Sequence, residues 1–141
     1  MKKLLVEKSI EINAPAAKVW QVLTNPALSK QWIEQFWPGF GALESDWKVG
    51  SAMYWKTAEG TIDIEGKILG IEPVKMIRYS FTMPQDIVIL TLDERNRNTV
   101  LSVVHGDFAE KPDGEECYLG ALAGWDMNLP KIKELTERLN I

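Results

Sequence analysis

Residues 113–140 read DGEECYLGALAGWDMNLPKIKELTERLN, and Leu122, Trp125, Leu129, Ile132, Thr136 and Leu139 recur along them at spacings of three and four. That period marks one amphipathic helix with a single face to bury. Lys131, Lys133, Glu134, Glu137 and Arg138 supply its solvated side. Asp113 suits the N-cap, and Glu116 three residues on would complete a capping box. Pro130 has no N–H to give the carbonyl of Asp126 and its ring crowds that carbonyl, so a kink is expected. Such a kink beside Trp125 and Leu129 would open an entrance under the helix.

The helix needs a partner surface, and the chain before it is mostly strand. Ala52–Thr57, Thr61–Ile71, Met76–Thr82, Ile87–Glu94 and Thr99–Gly106 have strand length and β-branched or aromatic content. Between them stand Ala58-Glu59-Gly60, Glu72-Pro73, Met83-Pro84-Gln85-Asp86 and Asn96-Arg97-Asn98, all with turn chemistry. Short connections of this kind make an antiparallel meander. Residues 61–67 alternate Ile62, Ile64, Gly66 against Asp63, Glu65, Lys67, so one face is covered and one is wet. Leu4–Ile12 alternates in the same way and gives a first strand. Asn13-Ala14-Pro15 and Asn25-Pro26 then start two short helices, Ala16–Thr24 and a second carrying Leu28 and Trp32. Gln35–Gly50 has no clean period and reads as loop with room for a short strand. The class is α+β, with a sheet of six or seven strands and the final helix packed on its covered face.

With 141 residues the chain has the length of one domain, residues 1–141, able to bury about 68–70% of its unfolded surface. The net charge of -4 is spread among interspersed signs, without the basic stripe that nucleic acid requires. No apolar run approaches the ~18 residues that would span a bilayer, and the start is too short for a signal peptide. A single cysteine, Cys117, excludes an internal disulfide and fits the cytoplasm.

Five stretches carry a family resemblance: IEINAPAAKVWQVLTNP (10–26), VGSAMYW (49–55), ILGIEPVKMIRYSF (68–81), TVLSVVHGDF (99–108) and GWDMNLPKIKEL (124–135). In this order they resemble the SRPBCC superfamily, which includes lipid-transfer START domains and the birch-pollen allergen fold. Within it they resemble the branch named for the activator of heat-shock-protein ATPase. Ser51 departs from the pattern, standing where the family often has a second glycine. The resemblance implies a helix-grip fold, a curved antiparallel sheet with the C-terminal helix packed across its concave face. It implies an activity less firmly, because the superfamily hosts carriers, receptors, cyclases and chaperone partners on one scaffold.

The residues themselves offer little catalytic chemistry. His105 is the only histidine, and with Cys117 alone it makes no metal cluster, so neither a metal nor another cofactor is expected. On its strand His105 shares a face with Leu101 and Val103; it is either a satisfied core histidine or a polar anchor or general base. Cys117 lies near Glu115 and Glu116, which oppose a thiolate. Arg78 reads as solvated, and Asp126 as either a surface carboxylate or a cavity-edge group.

The aromatics are distributed more unusually. Seven of the thirteen, Trp32, Phe36, Trp37, Phe40, Trp47, Tyr54 and Trp55, fall between residues 32 and 55. They form either a satellite core or the mouth of a cavity, and both readings can hold for different residues. The candidate cavity set is Trp32, Phe36, Trp37, Phe40, Tyr54, Ile64, Tyr79, Phe81, Leu101, Val103, His105, Leu122, Trp125 and Leu129. The expected function is non-catalytic binding of a small hydrophobic or aromatic molecule between sheet and helix. A cyclase- or hydrolase-type enzyme using His105 is the first alternative. A chaperone-partner module is the second, although the acidic surface offers no docking patch and the further N-terminal domain of the eukaryotic activators is not among these residues. Sheet edges and the aromatic loop offer surfaces for a homodimer.

Overall fold

The computed structural model describes residues 4–82, 86–109 and 111–139. Strand β1 (Val6–Ile12) leads into helices α1 (Ala16–Thr24) and α2 (Pro26–Ile33). Strands β2 (Phe40–Ser45), β3 (Ala52–Thr57), β4 (Ile62–Glu72), β5 (Met76–Ser80), β6 (Ile87–Arg95) and β7 (Asn98–His105) follow, and α3 (Gly114–Arg138) closes the chain. All strand pairs are antiparallel, in the order β1-β7-β6-β5-β4-β3-β2. The first strand thus pairs with the last, and β1 and β2 are the two edges.

Register places one row of side chains across the covered face: Val6 opposite His105, His105 opposite Val88, Val88 opposite Tyr79 and Tyr79 opposite Ile68. All five are buried, as the alternation requires. Register shifts interrupt the pairing at Phe40/Ala42, Trp55/Lys56 and Ile68/Gly70. Each extra residue bends its strand, so this half of the sheet curls. Gly66 belongs to the same curl: a Cβ there would lie 2.1 Å from the Ser80 carbonyl oxygen and 3.0 Å from the Trp55 ring.

The helices close the covered face. The Asn25 side chain caps α2 by accepting from Ala27 N at 3.0 Å, and Pro26 occupies its first turn. Trp32 pins α2 to α1, its indole N–H donating to the Val22 carbonyl at 2.9 Å. Helix α3 packs against β1, α1 and α2. Its buried positions are Gly114, Gly124, Trp125, Leu129, Ile132 and Thr136, with Leu122 and Leu139 half-buried. Ile132 is fully buried, a contribution of about 1.5–3 kcal/mol. The last turns are tied to β1 by Lys133 Nζ, which donates to the Glu11 carbonyl at 2.9 Å, and by Glu137, which accepts from Asn13 N at 2.8 Å.

Residues 40–45 supply, as β2, the short strand for which the aperiodic segment left room. Other local expectations are corrected, and β1 starts at Val6 rather than Leu4. Asp113 occupies the N-cap of α3, but its side chain makes no capping bond, because its backbone (φ −106°, ψ 28°) is not in the extended region that aims a cap at the helix. Helix α3 runs unbroken through Pro130. Ser51 keeps the β2–β3 turn with its hydroxyl, which donates to the Lys48 carbonyl at 2.7 Å. Residues 83–85 of the expected turn, and the expected helix end at Asn140, lie outside the described residues.

Candidate functional site

A cavity of about 120 Å³ lies between the curled half of the sheet and α3. The sheet contributes Leu43, Trp55, Tyr79, Val88 and His105, with Phe81 just beyond β5. Trp32, Ile33, Phe36 and Trp37 come from α2 and the turn after it, and Gly120, Ala121, Gly124, Trp125 and Asn128 from α3. None of these is Lys, Arg, Asp or Glu. Two wider depressions, about 860 and 410 Å³, are lined by charged residues such as Glu72, Lys75, Asp93 and Arg95. They are open surface grooves, the wider one carrying apolar side chains such as Val74, Met76 and Leu92 among the charged ones.

The wall is a run of rings in mostly edge-to-face contact. Trp55 and Phe81 have centroids 4.9 Å apart, Trp37 and Phe81 6.2 Å, Phe81 and His105 6.2 Å, and His105 and Trp125 6.4 Å. Such geometry sets the positive ring edge against the negative ring face. Trp37 is held by its indole N–H, which donates to Asp63 at 3.0 Å.

His105 is engaged on both sides. The Trp125 indole N–H, which can only donate, points at His105 Nδ1 at 3.1 Å, so Nδ1 carries no proton. The proton is therefore on Nε2, which donates to Asp86 Oδ1 at 2.7 Å. Asp86 Oδ2 accepts from the Thr82 hydroxyl at 2.6 Å and from the Thr82 backbone N–H at 3.3 Å. Burial pushes the Asp86 carboxyl up, but the hydrogen bonds from His105 and Thr82 outweigh it and hold the carboxyl below its usual range. Burial, assisted by the Asp86 charge, pushes the Tyr79 hydroxyl far up, so it remains a neutral donor.

The opening is beside glycine. Phe36 and Gly120 are the exposed residues of the lining. A Cβ at Gly120 would meet nothing within 4 Å, whereas one at Gly124 would meet the Phe36 ring at 3.2 Å. Pro130 is exposed and outside the lining, ten residues or about 15 Å along the helix from Gly120. The expected entrance at Pro130 is therefore replaced by one at Gly120, where the absence of a side chain leaves the gap.

Of the candidate residues, Trp32, Phe36, Trp37, Tyr79, Phe81, His105 and Trp125 line the cavity. Tyr54 does not, because Met53 and Trp55 on either side take the covered face and alternation turns Tyr54 outward. Phe40, Leu101, Val103 and Leu129 are buried in the core outside the lining, and Ile64 and Leu122 are packed against that core. Asp126 is on the surface, paired with Lys8 at 3.2 Å, and Arg78 is exposed. Cys117 is half-buried with Lys111 Nζ 3.6 Å from its sulfur. Among the described residues no His, Cys, Asp and Glu cluster fit for a metal occurs. Sequence reasoning missed Ile33, Leu43, Val88 and Ala121 of the lining, and it missed Asn128 and the two lining glycines. Their signal was position: Gly120, Gly124 and Asn128 follow one another at four-residue intervals, and Asn128 is three after Trp125.

A curved antiparallel sheet closed by a long C-terminal helix over an apolar cavity defines the helix-grip class, the SRPBCC superfamily. Residues 13–137 match the family model described as Activator of Hsp90 ATPase homolog 1-like protein, and the chain belongs to that family. No curated protein sequence matches the chain. Among solved structures it is similar to protein MLL2253 from Mesorhizobium loti, with 25% identity, TM-score 0.74, and 97% of this chain and 99% of that one covered. It is also similar to the Aha1 dimer from Colwellia psychrerythraea (20% identity, TM-score 0.72, 95% and 96% covered). CalU16 from Micromonospora echinospora is a third (19%, 0.67, 94% and 81%). These last two likenesses are of fold. Among the described residues no helix is long and apolar enough to cross a membrane.

Proposed function

We propose that the chain binds a small hydrophobic or aromatic molecule in the cavity between sheet and α3, without transforming it, in the cytoplasm. The observation that carries this reading is the uncharged, aromatic-walled cavity whose open side is faced by Gly120. Its volume of about 120 Å³ is close to that of an apolar cavity that holds benzene, ~150 Å³, and well under the ~300 Å³ of the smallest drug-sized sites. Single-ring ligands therefore fit before flavonoids, fatty acids or sterols do. Binding at a hundred times Kd stabilises the fold by about 2.7 kcal/mol. The test is a panel of these four classes, followed by tryptophan fluorescence and melting temperature, since Trp32, Trp37, Trp55 and Trp125 all face the site. A panel with no responding member would remove the reading.

Catalysis by His105 is disfavoured because neither ring nitrogen is free to take a substrate proton. Should an activity be found, His105→Ala leaving it intact would exclude that role. The family description supports a second reading, a partner of an Hsp90-type chaperone. Retention of the chain on immobilised cognate chaperone tests it, and no retention would dispose of it. A homodimer, as in the Colwellia structure, is a further proposal that light scattering decides.

A further inference from the structure

Beside the cavity one buried polar atom is unserved. Asn128 Oδ1 is buried and has no hydrogen-bond partner among the described residues. Buried polar atoms in folded proteins are almost always paired, so one that lines a cavity points to a partner arriving from outside the chain. Asn128 lies one turn beyond Gly124 on α3, on the face that carries Trp125 to His105.

The rest of the lining restricts what that partner can be. No Lys or Arg faces the cavity to neutralise an anion, and no Asp or Glu to neutralise a cation. His105 has both nitrogens committed, and the Asp86 carboxylate is covered by His105 and Thr82. A charged ligand would lose its hydration and gain no counter-ion. Among the neutral polar groups that remain in the lining are the Asn128 carboxamide and the Tyr79 hydroxyl, which burial keeps protonated.

We infer that Asn128 selects the ligand, and that the ligand class is an uncharged aromatic ring bearing a hydroxyl group. This rests on the binder reading above. A hydroxyl both donates and accepts, so it pairs with the carboxamide whichever of its two ends is turned inward. The ring fills the space between Trp37, Phe81 and Trp125, and the ring size follows from the cavity volume.

Phenol, benzene and benzoate are the probes, titrated at pH 7 by calorimetry and tryptophan fluorescence into the wild type and Asn128→Leu. Wild type is expected to bind phenol more tightly than benzene and to show no binding of benzoate. In Asn128→Leu the phenol-to-benzene affinity ratio is expected to fall about tenfold, equivalent to 1.4 kcal/mol. If both probes bind and the ratio is unchanged, the carboxamide is served by water and the inference falls while the binder reading stands. Benzoate binding as tightly as phenol overturns the uncharged class. Binding of none of the three removes both readings together. The comparison of phenol with benzene in the wild type needs no variant, so it decides the matter even if Asn128→Leu does not fold; equal or tighter binding of benzene overturns the inference.

Discussion

The indole N–H of Trp125 on α3 donates to Nδ1 of His105 on β7 at 3.1 Å, and this bond joins the final helix to the sheet at the cavity wall. It also sets the imidazole tautomer, which turns Nε2–H toward Asp86 and so reaches Thr82, two residues past the end of β5. Helix α3, strand β7 and the β5–β6 connection thus share one polar chain.

Trp125→Phe keeps most of the ring packing and removes only the donor, leaving Nδ1 of His105 unpaired. The expected loss is about 1–3 kcal/mol of unfolding free energy by urea titration. In a cycle with His105→Leu the double variant should lose less than the sum of the singles; strict additivity would mean that the bond contributes nothing.

Gly120 and Gly124 of α3 should respond differently. Gly120→Ala places its methyl in open space, so the helix gains about 0.5–1 kcal/mol from the removal of glycine's backbone freedom. Gly124→Ala sets its methyl 3.2 Å from the Phe36 ring and should gain less or lose stability. Gly120→Leu should remain folded and show weaker quenching by any single-ring ligand, because its side chain reaches across the opening.

Pro130→Ala restores a backbone N–H near the Asp126 carbonyl in the middle of α3. Stability should rise, by up to ~3 kcal/mol, with ligand affinity unchanged, since Pro130 is outside the lining. A changed affinity at constant fold would return the entrance to the proline.

Acid should act through Asp86. Its carboxyl is held below the unfolded value of about 4, so its bonds contribute stability above that value and lose it as pH falls through the folded one. Wild type should therefore lose unfolding free energy below about pH 4 more steeply than Asp86→Asn, while the variant is the less stable of the two at pH 7. Parallel pH profiles would show that the carboxylate is not coupled to folding.

The strands from β3 onward were legible because each has clean alternation bounded by turn residues, and α1 was legible from Pro15 and its apolar face. Strand β2 was legible only as room for a short strand, because the register shift beside Gly41 breaks the period over which a strand is recognised. The aromatic cluster between residues 32 and 55 separates by face: Trp32, Phe36, Trp37 and Trp55 line the cavity, Phe40 is core and Tyr54 is outside. Alternation around Met53 and Trp55 already carried the answer for Tyr54. The pairing of His105 with Asp86 was hidden, because it depends on where β6 begins relative to the end of β7, a matter of register that neither segment states alone. Asn128 was overlooked because a polar residue on an apolar helix stripe is usually read as its margin.

Strand β1 completes the sheet only by lying beside β7, so Leu4 N reaches Asp107 Oδ1 across 103 residues of chain. Strand β1 must wait for β7 to form before it has a place to lie. Folding of so non-local a pairing is slow, and until it occurs the outer edge of β7 is a bare row of N–H and C=O groups. Refolding followed by stopped-flow fluorescence should accordingly run in milliseconds to seconds rather than microseconds, with aggregation rising with concentration during that interval. The arrangement that closes the sheet at one edge thus sets the order in which the molecule is assembled.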